Sequence, residues 1–179
     1  MTYEEYKELI RIEVFDNNIK GMRHKFFKKY FNASTNAVYL IRRMQYLGGK
    51  RNRISKFFSM LYGYKLINKY GIFIYPENKI GKGLKIPHPD GIIIGKCVEM
   101  GENCTIFQQV TIGSSKSGDF KKGLQPKIGN GVSLFAGAKI IGAINVADNS
   151  IIGANAVLTQ DTEKATIYVG VPARVLPNK

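Results

Sequence analysis

The chain has 179 residues, of which 44% are hydrophobic, and carries a formal net charge of +14 at pH 7. This length fits one compact domain with a modest extension, and the hydrophobic share is sufficient for a packed core. No apolar run is long enough to cross a bilayer, and the polar start MTYEEYKELI is unlike a signal peptide, so we expect a soluble, cytoplasmic protein.

Residues 1–70 are predicted to form a basic α-helical region. A first helix spans residues 3–15, and further helical segments follow around residues 26–31, 37–47 and 51–61, each with apolar side chains at helical spacing. We expect these helices to form a cap whose aromatic residues cover the open end of the following domain or a neighbouring subunit.

The positive charge is concentrated in this region. Residues 17–76 contain 13 Lys or Arg and no Asp or Glu, which favours an anionic partner. A solvated basic surface and a peripheral contact with an anionic membrane are about equally favoured, because Lys and Arg near an anionic leaflet contribute about 1 kcal/mol each. No nucleic-acid recognition motif is present, and we expect no nucleic-acid partner.

From residue 94 to residue 158 the chain repeats in units of six, with one interruption. The unit starts are Ile94, Met100, Ile106, Ile112, Ile128, Leu134, Ile140, Val146, Ile152 and Leu158. Four positions after most starts lies a second, usually small or β-branched residue. This period is typical of a parallel β-helix, in which three units form one triangular coil. Residues 71–179 are therefore predicted to be a β-helix domain, with less regular repeats before residue 94.

The interruption and the end of the chain depart from the repeat. Residues 114–125, SSKSGDFKKGLQ, are predicted to protrude as a loop, and such excursions often serve binding. The glycine spacing of Gly118–Gly123 resembles a P-loop, but Leu124 stands where the lysine is required, so nucleotide hydrolysis is rejected. A last strand with Ile167 and Val169 is expected before residues 171–174 turn away from the β-helix.

His88 is the residue most suited to chemistry. It stands between two prolines in IPHPDG, an insertion just before the regular coils. A histidine held on a stiff corner, with an ordinary pKa near 6.5, suits a general base for a hydroxyl; a turn histidine without chemistry is equally favoured. The other histidine, His24, is predicted to be a solvated surface residue. Two cysteines and two histidines do not make a zinc site, and no metal is expected.

Several stretches together resemble a known family. They are GIFIYPENKIGKGLKIPHPDGIIIG, CTIFQQVTIGSS, PKIGNGVSLFAGAKIIGAI, IIGANAVLTQ and GVPARVL. They resemble the serine acetyltransferase branch of the hexapeptide acyltransferases over residues 71–176, and most of all the members found in capsule and exopolysaccharide gene sets. The resemblance implies a left-handed β-helix, a homotrimer with active sites between neighbouring subunits, and direct acetyl transfer from acetyl-CoA to a hydroxyl.

The resemblance also assigns roles to residues. His88 would take the proton of the acceptor hydroxyl, and the backbone N–H of Ser114 would stabilise the oxyanion. Small side chains at two positions would let the pantetheine arm approach the main chain. The expected sites are His88 and Ser114 for catalysis, Gly113, Ser114, Ala136, Lys139, Ala154 and Arg174 for CoA, and Asp90 and Gln125 for the acceptor.

The chain departs from the family pattern where the family holds serine. The second histidine, the arginine before it, the aspartate before the catalytic histidine and the acid that orients it are here Gln125, Leu124, Pro87 and Phe73. We therefore expect the acceptor to be a sugar hydroxyl of a surface-polysaccharide precursor carried at the inner face of the membrane. Serine O-acetylation and a non-catalytic trimeric scaffold are the alternatives. The group that orients His88 is open between Asp90, a backbone carbonyl and a neighbouring subunit.

Overall fold

The computed structural model describes residues 1–15 and 21–177, with the backbone alone for residues 22–26, so the side chain of His24 lies outside the described residues. Four α-helices come first: α1 (Tyr3–Ile10), α2 (Met22–Phe31), α3 (Ala33–Gly48) and α4 (Arg53–Tyr70). The helix predicted for residues 3–15 changes to π-helical hydrogen bonding over Arg11–Phe15. Within the described residues, no helix is both long and apolar enough to cross a membrane.

Side-chain hydrogen bonds cap the starts of α3 and α4. The Asn32 side chain accepts a hydrogen bond from the Thr35 N–H (3.1 Å), and the Asn52 side chain accepts one from the Ser55 N–H (2.7 Å). Each bond satisfies one of the N–H groups that the first turn of a helix leaves free. Helix α4 ends at Gly71, whose φ of 62° suits a residue without a Cβ.

The cap is held by α3 and by one side of α4. Leu40, Ile41 and Met44 of α3 and Leu66 of α4 are buried. Phe57 and Phe58 are exposed, so they do not cover the end of the β-helix of this chain. These rings lie on the far side of α4, because the packing against α3 uses the smaller and aliphatic residues of that helix. The alternative, that the aromatic residues cover a neighbouring subunit, stays a prediction.

The rest of the chain forms three mostly parallel sheets, which we call faces A, B and C. Face A contains β2 (Ile93–Ile94), β5 (Thr111–Gly113), β8 (Lys139–Ile141) and β11 (Val157–Leu158). Face B contains β1 (Lys79–Ile80), β3 (Glu99–Met100), β6 (Lys127–Ile128) and β9 (Asn145–Val146). Face C contains β4 (Thr105–Ile106), β7 (Ser133–Leu134), β10 (Ile151–Ile152), β12 (Ile167–Val169) and β13 (Arg174–Val175). The predicted fold class, a left-handed parallel β-helix with an N-terminal helical cap, is confirmed.

The sixfold pattern fills the interior as predicted. Every unit start from Ile94 to Leu158 is buried, and so are the second inward positions. One of these is polar: the Ser150 hydroxyl lies 3.0 Å from Thr162 Oγ1 and donates to the Glu163 carbonyl oxygen (3.0 Å), so it is satisfied. The irregular stretch before residue 94 already forms a full coil, because β1 pairs in register with β3.

The corners of the β-helix impose tight backbone geometry. Cys97, Asn103 and Gln109, six residues apart, all have φ near 60°, in the left-handed region that non-glycine residues rarely adopt. At the corner that contains Asn103, a Cβ added to Gly101 would lie 2.8 Å from the backbone N of Asn130. Glycine at this position therefore permits the coils to stack at strand spacing.

The tail corrects one expectation. Residues 171–174 do not turn away from the β-helix; they reverse direction so that β13 pairs antiparallel with β12. The reversal is held by hydrogen bonds from the Ala173 N–H to the Val157 oxygen (2.8 Å) and from the Leu176 N–H to the Ile167 oxygen (2.7 Å).

A buried ion pair joins the helical cap to the first coil. Glu13 and Arg42 are fully buried and form two hydrogen bonds, Nη2 to Oε1 (2.6 Å) and Nε to Oε2 (2.8 Å). Glu13 also accepts hydrogen bonds from the N–H groups of Gly83 (2.9 Å) and Leu84 (3.1 Å). Arg42 donates to the Gly81 carbonyl oxygen at 2.6 Å. The pair therefore fixes the segment that leads directly to His88.

Candidate active site

The corner between faces C and A stacks four equivalent positions, one per coil. Backbone hydrogen bonds of 2.8 to 2.9 Å link successive levels, from Gln109 N–H to Asp90 O, from Gly137 N–H to Gln108 O and from Asn155 N–H to Ala136 O. The set on one vertical line, which we call the corner column, is Asp90, Gln108, Ala136 and Ala154. Two of the expected CoA residues therefore lie directly above one another.

His88 lies on a bulge beside the lowest level of the corner column. In the first coil the chain passes from face C to face A in eight residues, from Lys85 to Ile93. In the second coil the same step, from Thr105 to Thr111, takes six residues. The two extra residues carry His88 outward, and its side chain is exposed. The sequence prediction of an inserted corner is thus confirmed, and the imidazole does not point into the β-helix.

Aromatic rings flank the imidazole. The ring centroids of His88 and Phe107 are 6.2 Å apart, and Phe107 stacks on Phe135 at 4.9 Å with an interplanar angle of 14°. Phe135 is 40% exposed, so the stack presents an open aromatic surface next to the histidine. Phe107 and Phe135 each directly precede a member of the corner column, and this register is the sequence signal that would have found them.

No side chain orients the imidazole within the part of the chain that the structure describes. Asp90 contacts His88 through the main chain, where its N–H donates to the His88 carbonyl oxygen at 3.0 Å. No hydrogen bond joins the Asp90 carboxylate or a backbone carbonyl of the described residues to the ring. Of the three options for orienting His88, the neighbouring subunit is the one that a single chain leaves open.

The corner column presents polar groups without partners. The Gln108 Oε1 atom is buried and has no hydrogen-bond partner among the described residues. The backbone N–H groups of Ala136 and Ala154 also make no hydrogen bond in the described chain. A buried polar atom such as Gln108 Oε1 is normally paired, while Ala136 is half-buried and Ala154 is exposed. A ligand with amide groups would satisfy all three groups. Sequence reasoning missed Gln108, although it occupies the same repeat position as the two alanines.

A second candidate region lies on the outer surface of face A. Residues 114–125 fold over this face and enclose a cavity of about 490 Å³. The lining residues are Phe73, Tyr75, Ile93, Gly95, Lys96, Thr111, Ile112, Gly113, Ser114, Phe120 and Gln125. The expected site residues Gly113, Ser114 and Gln125 are therefore brought together here. No carboxylate is among these lining residues.

Two polar groups in this cavity are available to a ligand. Gln125 is 6% exposed, and its Oε1 atom has no hydrogen-bond partner among the described residues. The Ser114 N–H is free in the described chain, while its hydroxyl donates to the Lys116 carbonyl oxygen at 3.1 Å. Phe73, where the family pattern has an acid, is 47% exposed. The cavity thus combines aromatic walls, an amide oxygen and a backbone donor.

Within a single chain, His88 and Ser114 do not lie in the same site. His88 is not among the residues that line the face A cavity. Of the residues expected at the CoA phosphates, Lys139 donates to the Gln109 carbonyl oxygen (2.6 Å), and Arg174 donates to the Ala173 oxygen (3.0 Å). Each chain therefore carries two separate partial sites, the corner with His88 and the cavity with Ser114.

Neither cysteine lies in the corner column or among the residues that line the face A cavity. Neither is in a disulfide; Cys97 is exposed and Cys104 is buried. Burial raises the pKa of the Cys104 thiol to about 11, which keeps it protonated at neutral pH. In the part of the chain that is described, no group of three His, Cys, Asp or Glu side chains lies close enough to hold a metal ion.

Comparisons with known proteins find similar sequences and similar solved structures. No protein-family model matches the chain. A curated serine acetyltransferase of Helicobacter pylori (strain J99) is 44% identical over 106 residues, which are 59% of this chain and 61% of the relative. The chain thus spans about three fifths of the length of that relative.

The similar solved structures are also serine acetyltransferases. A serine acetyltransferase of Neisseria gonorrhoeae is 26% identical with a TM-score of 0.77, covering 98% of this chain and 68% of that one. A serine acetyltransferase in complex with CoA is 27% identical with a TM-score of 0.71, covering 94% of this chain and 66% of that one. The chain is therefore similar to serine acetyltransferases in sequence over 106 residues and in fold over nearly its whole length.

Proposed function

We propose that the protein is an acetyl-CoA-dependent O-acetyltransferase acting in the cytoplasm. The observation that carries this proposal is the corner column beside His88. A buried amide oxygen without a partner and two free backbone N–H groups lie in line with an exposed imidazole. The similarity to a serine acetyltransferase bound to CoA supports the same ligand.

The column suits the pantetheine arm of CoA. The amide carbonyls of the pantetheine arm would accept hydrogen bonds from the N–H groups of Ala136 and Ala154, and an amide N–H of the arm would donate to Gln108 Oε1. The small alanine side chains let a thin chain approach the backbone. Lys139 would reach the CoA phosphates by leaving the Gln109 carbonyl oxygen, and Arg174 would contribute a second cation.

The chemistry then follows from His88 and Ser114. Neutral His88 accepts the proton of the acceptor hydroxyl while that oxygen attacks the thioester carbonyl carbon. The Ser114 N–H, next to Gly113, donates to the oxyanion that forms. When the carbon–sulfur bond breaks, the CoA sulfur takes the proton from the imidazolium. The products are an acetyl ester and the CoA thiol, and the histidine returns to its neutral form.

We propose that the active site forms between two subunits of a homotrimer. In one chain, His88 and the face A cavity are separate. If the corner of one β-helix packs beside face A of the next, His88 of one chain approaches Ser114 of its neighbour. Threefold symmetry would generate three identical sites. This arrangement also gives the imidazole its missing orienting partner from the neighbouring chain.

Serine is the acceptor that the comparisons favour, because the similar curated proteins are named serine acetyltransferases. The second candidate is a sugar hydroxyl of a polysaccharide precursor, as in the capsule and exopolysaccharide members. The face A cavity favours it, since Phe73, Tyr75 and Phe120 offer rings for stacking and no lining carboxylate awaits an ammonium group. Lipid-carried precursors would place the protein at the membrane face, in contact through residues 17–76.

An acetyl-CoA assay that measures the free thiol tests the proposal. We expect wild-type protein to release CoA with serine or with a sugar acceptor. His88→Ala should lower the rate about 10²- to 10⁴-fold, the usual contribution of a general base, whereas His24→Ala, the matched control, should not. Equal rates for the two variants would remove His88 from the mechanism. Absence of CoA binding by calorimetry would leave the non-catalytic scaffold.

A further inference from the structure

Helix α4 exposes a continuous apolar stripe that none of the described residues covers. The stripe residues follow the helical spacing i, i+3, i+4, i+7 and i+10: Ile54, Phe57, Phe58, Leu61 and Tyr64. Their exposed fractions lie between 43% for Leu61 and 72% for Ile54. Apolar side chains at this spacing usually face a core or a partner.

Cations flank this stripe. Arg53, Lys56 and Lys65 are exposed on α4. None of them has an acidic partner among the described ion pairs, and residues 17–76 contain no Asp or Glu at all. The exposed surface of α4 itself is therefore both apolar and positively charged.

The positive charge of α4 favours an anionic lipid surface over a second copy of the chain as the partner of the stripe. A second copy of α4 across a twofold axis would bring Lys56 and Lys65 against the same cations, and like charges in contact oppose association. An anionic lipid leaflet complements both the apolar stripe and the cations. A mainly apolar cavity of about 690 Å³ also opens beside the stripe. Met60, Tyr64 and Ile67 are among its lining residues, with Lys56 and Glu77 as its charged groups, and an acyl chain would fit its apolar part.

We propose that α4 is a membrane-docking helix that lies in the plane of an anionic leaflet. The aromatic and aliphatic residues of the stripe enter the boundary between headgroups and acyl chains, while Lys56 and Lys65 contact lipid phosphates. This inference goes beyond acetyl transfer and does not depend on which acceptor the enzyme uses.

Sedimentation with vesicles tests the proposal on the full chain. Wild-type protein should bind vesicles that contain phosphatidylglycerol, bind pure phosphatidylcholine vesicles weakly, and lose affinity in high salt. The double variant Phe57→Ser/Leu61→Ser should abolish binding, with Val175→Ser, an exposed apolar residue of β13, as the matched control. Lys56→Gln/Lys65→Gln should lower the partition coefficient about 30-fold, since each cation near an anionic leaflet contributes about fivefold, whereas Lys164→Gln should not.

Other outcomes would overturn the inference. Failure of the wild type to bind anionic vesicles would contradict it, and so would equal binding by the stripe variant and its control. Light scattering that shows the stripe variant breaking a larger assembly of the wild type would assign the stripe to a contact between copies. Tighter binding of wild type to duplex DNA than to vesicles would assign the cations to nucleic acid. Circular dichroism checks that each variant is folded, and the lysine variant tests the proposal separately from the apolar one.

Discussion

The buried pair of Glu13 and Arg42 offers the sharpest test of how the cap supports the β-helix. Glu13→Gln keeps the shape of the side chain but removes its charge, which leaves the Arg42 guanidinium buried without a counter-ion. Breaking a buried pair from one side typically costs about 3–5 kcal/mol. For a chain of this size, we expect the unfolding midpoint to fall by about 6–20 °C.

Differential scanning calorimetry at pH 7 measures this change, and the chain supplies a matched control. Glu99 pairs with Lys79 at 2.6 Å, but the two side chains are 44% and 78% exposed. Glu99→Gln should therefore shift the midpoint little, because exposed pairs are screened by water. The double variant Glu13→Gln/Arg42→Met should recover part of the loss, since no buried charge is left unpaired. Equal midpoints for Glu13→Gln and Glu99→Gln would refute the reasoning.

Four further predictions concern the coils, the reactivity of the thiols, the pH dependence of stability and the corner column. Gly101→Ala should lower the unfolding midpoint by several degrees in calorimetry, since its Cβ would lie 2.8 Å from a backbone nitrogen; an unchanged midpoint would contradict the stacking. At pH 8 a thiol reagent should label Cys97 alone in the folded chain, because burial raises the pKa of the Cys104 thiol from 9.0 to about 11; two labels per folded chain would contradict this. Between pH 9 and 11 the unfolded chain loses that proton and the folded chain keeps it, so the unfolding free energy should fall with pH more than in Cys104→Ala. Gln108→Ala should raise the KM for acetyl-CoA about 5- to 10-fold with little change in kcat, as expected for one lost hydrogen bond, whereas an equal effect of Gln109→Asn would argue against the assigned contact.

The sequence predicted the β-helix because inward residues recur at a period that no other element shares. Each start from Ile94 to Leu158 is buried, and the bulge at His88 was visible as an insertion between prolines. The start of the first coil was less clear, since residues 71–90 form it without regular sixfold spacing.

Long-range contacts could not be predicted in the same way. Nothing in the first helix distinguishes Glu13 from its exposed acidic neighbours, yet it alone reaches Arg42 and the first coil. The stacking of Phe107 on Phe135 joins residues on either side of the loop of residues 114–125, so a count along the sequence finds their common register only when that loop is left out. The exposed stripe of α4 looks, in sequence, like any buried helix face.

Some expectations stay predictions. The division into a basic helical region of residues 1–70 and an acyltransferase domain of residues 71–179 is one of them. The roles of the site residues are another, because the single chain separates His88 from Ser114. The roles of the site residues depend on how copies of the chain assemble.

Mixed trimers test the central claim most directly. His88→Ala removes the base, and Ser114→Pro removes the backbone N–H donor, so each variant alone should release almost no CoA thiol from acetyl-CoA. If each site combines His88 of one chain with Ser114 of the next, unfolding, mixing and refolding the variants at equal amounts should restore about a quarter of the wild-type rate, as random assembly around a threefold axis gives. No recovery in trimers that are shown by mass spectrometry to be mixed would contradict an active site shared between chains.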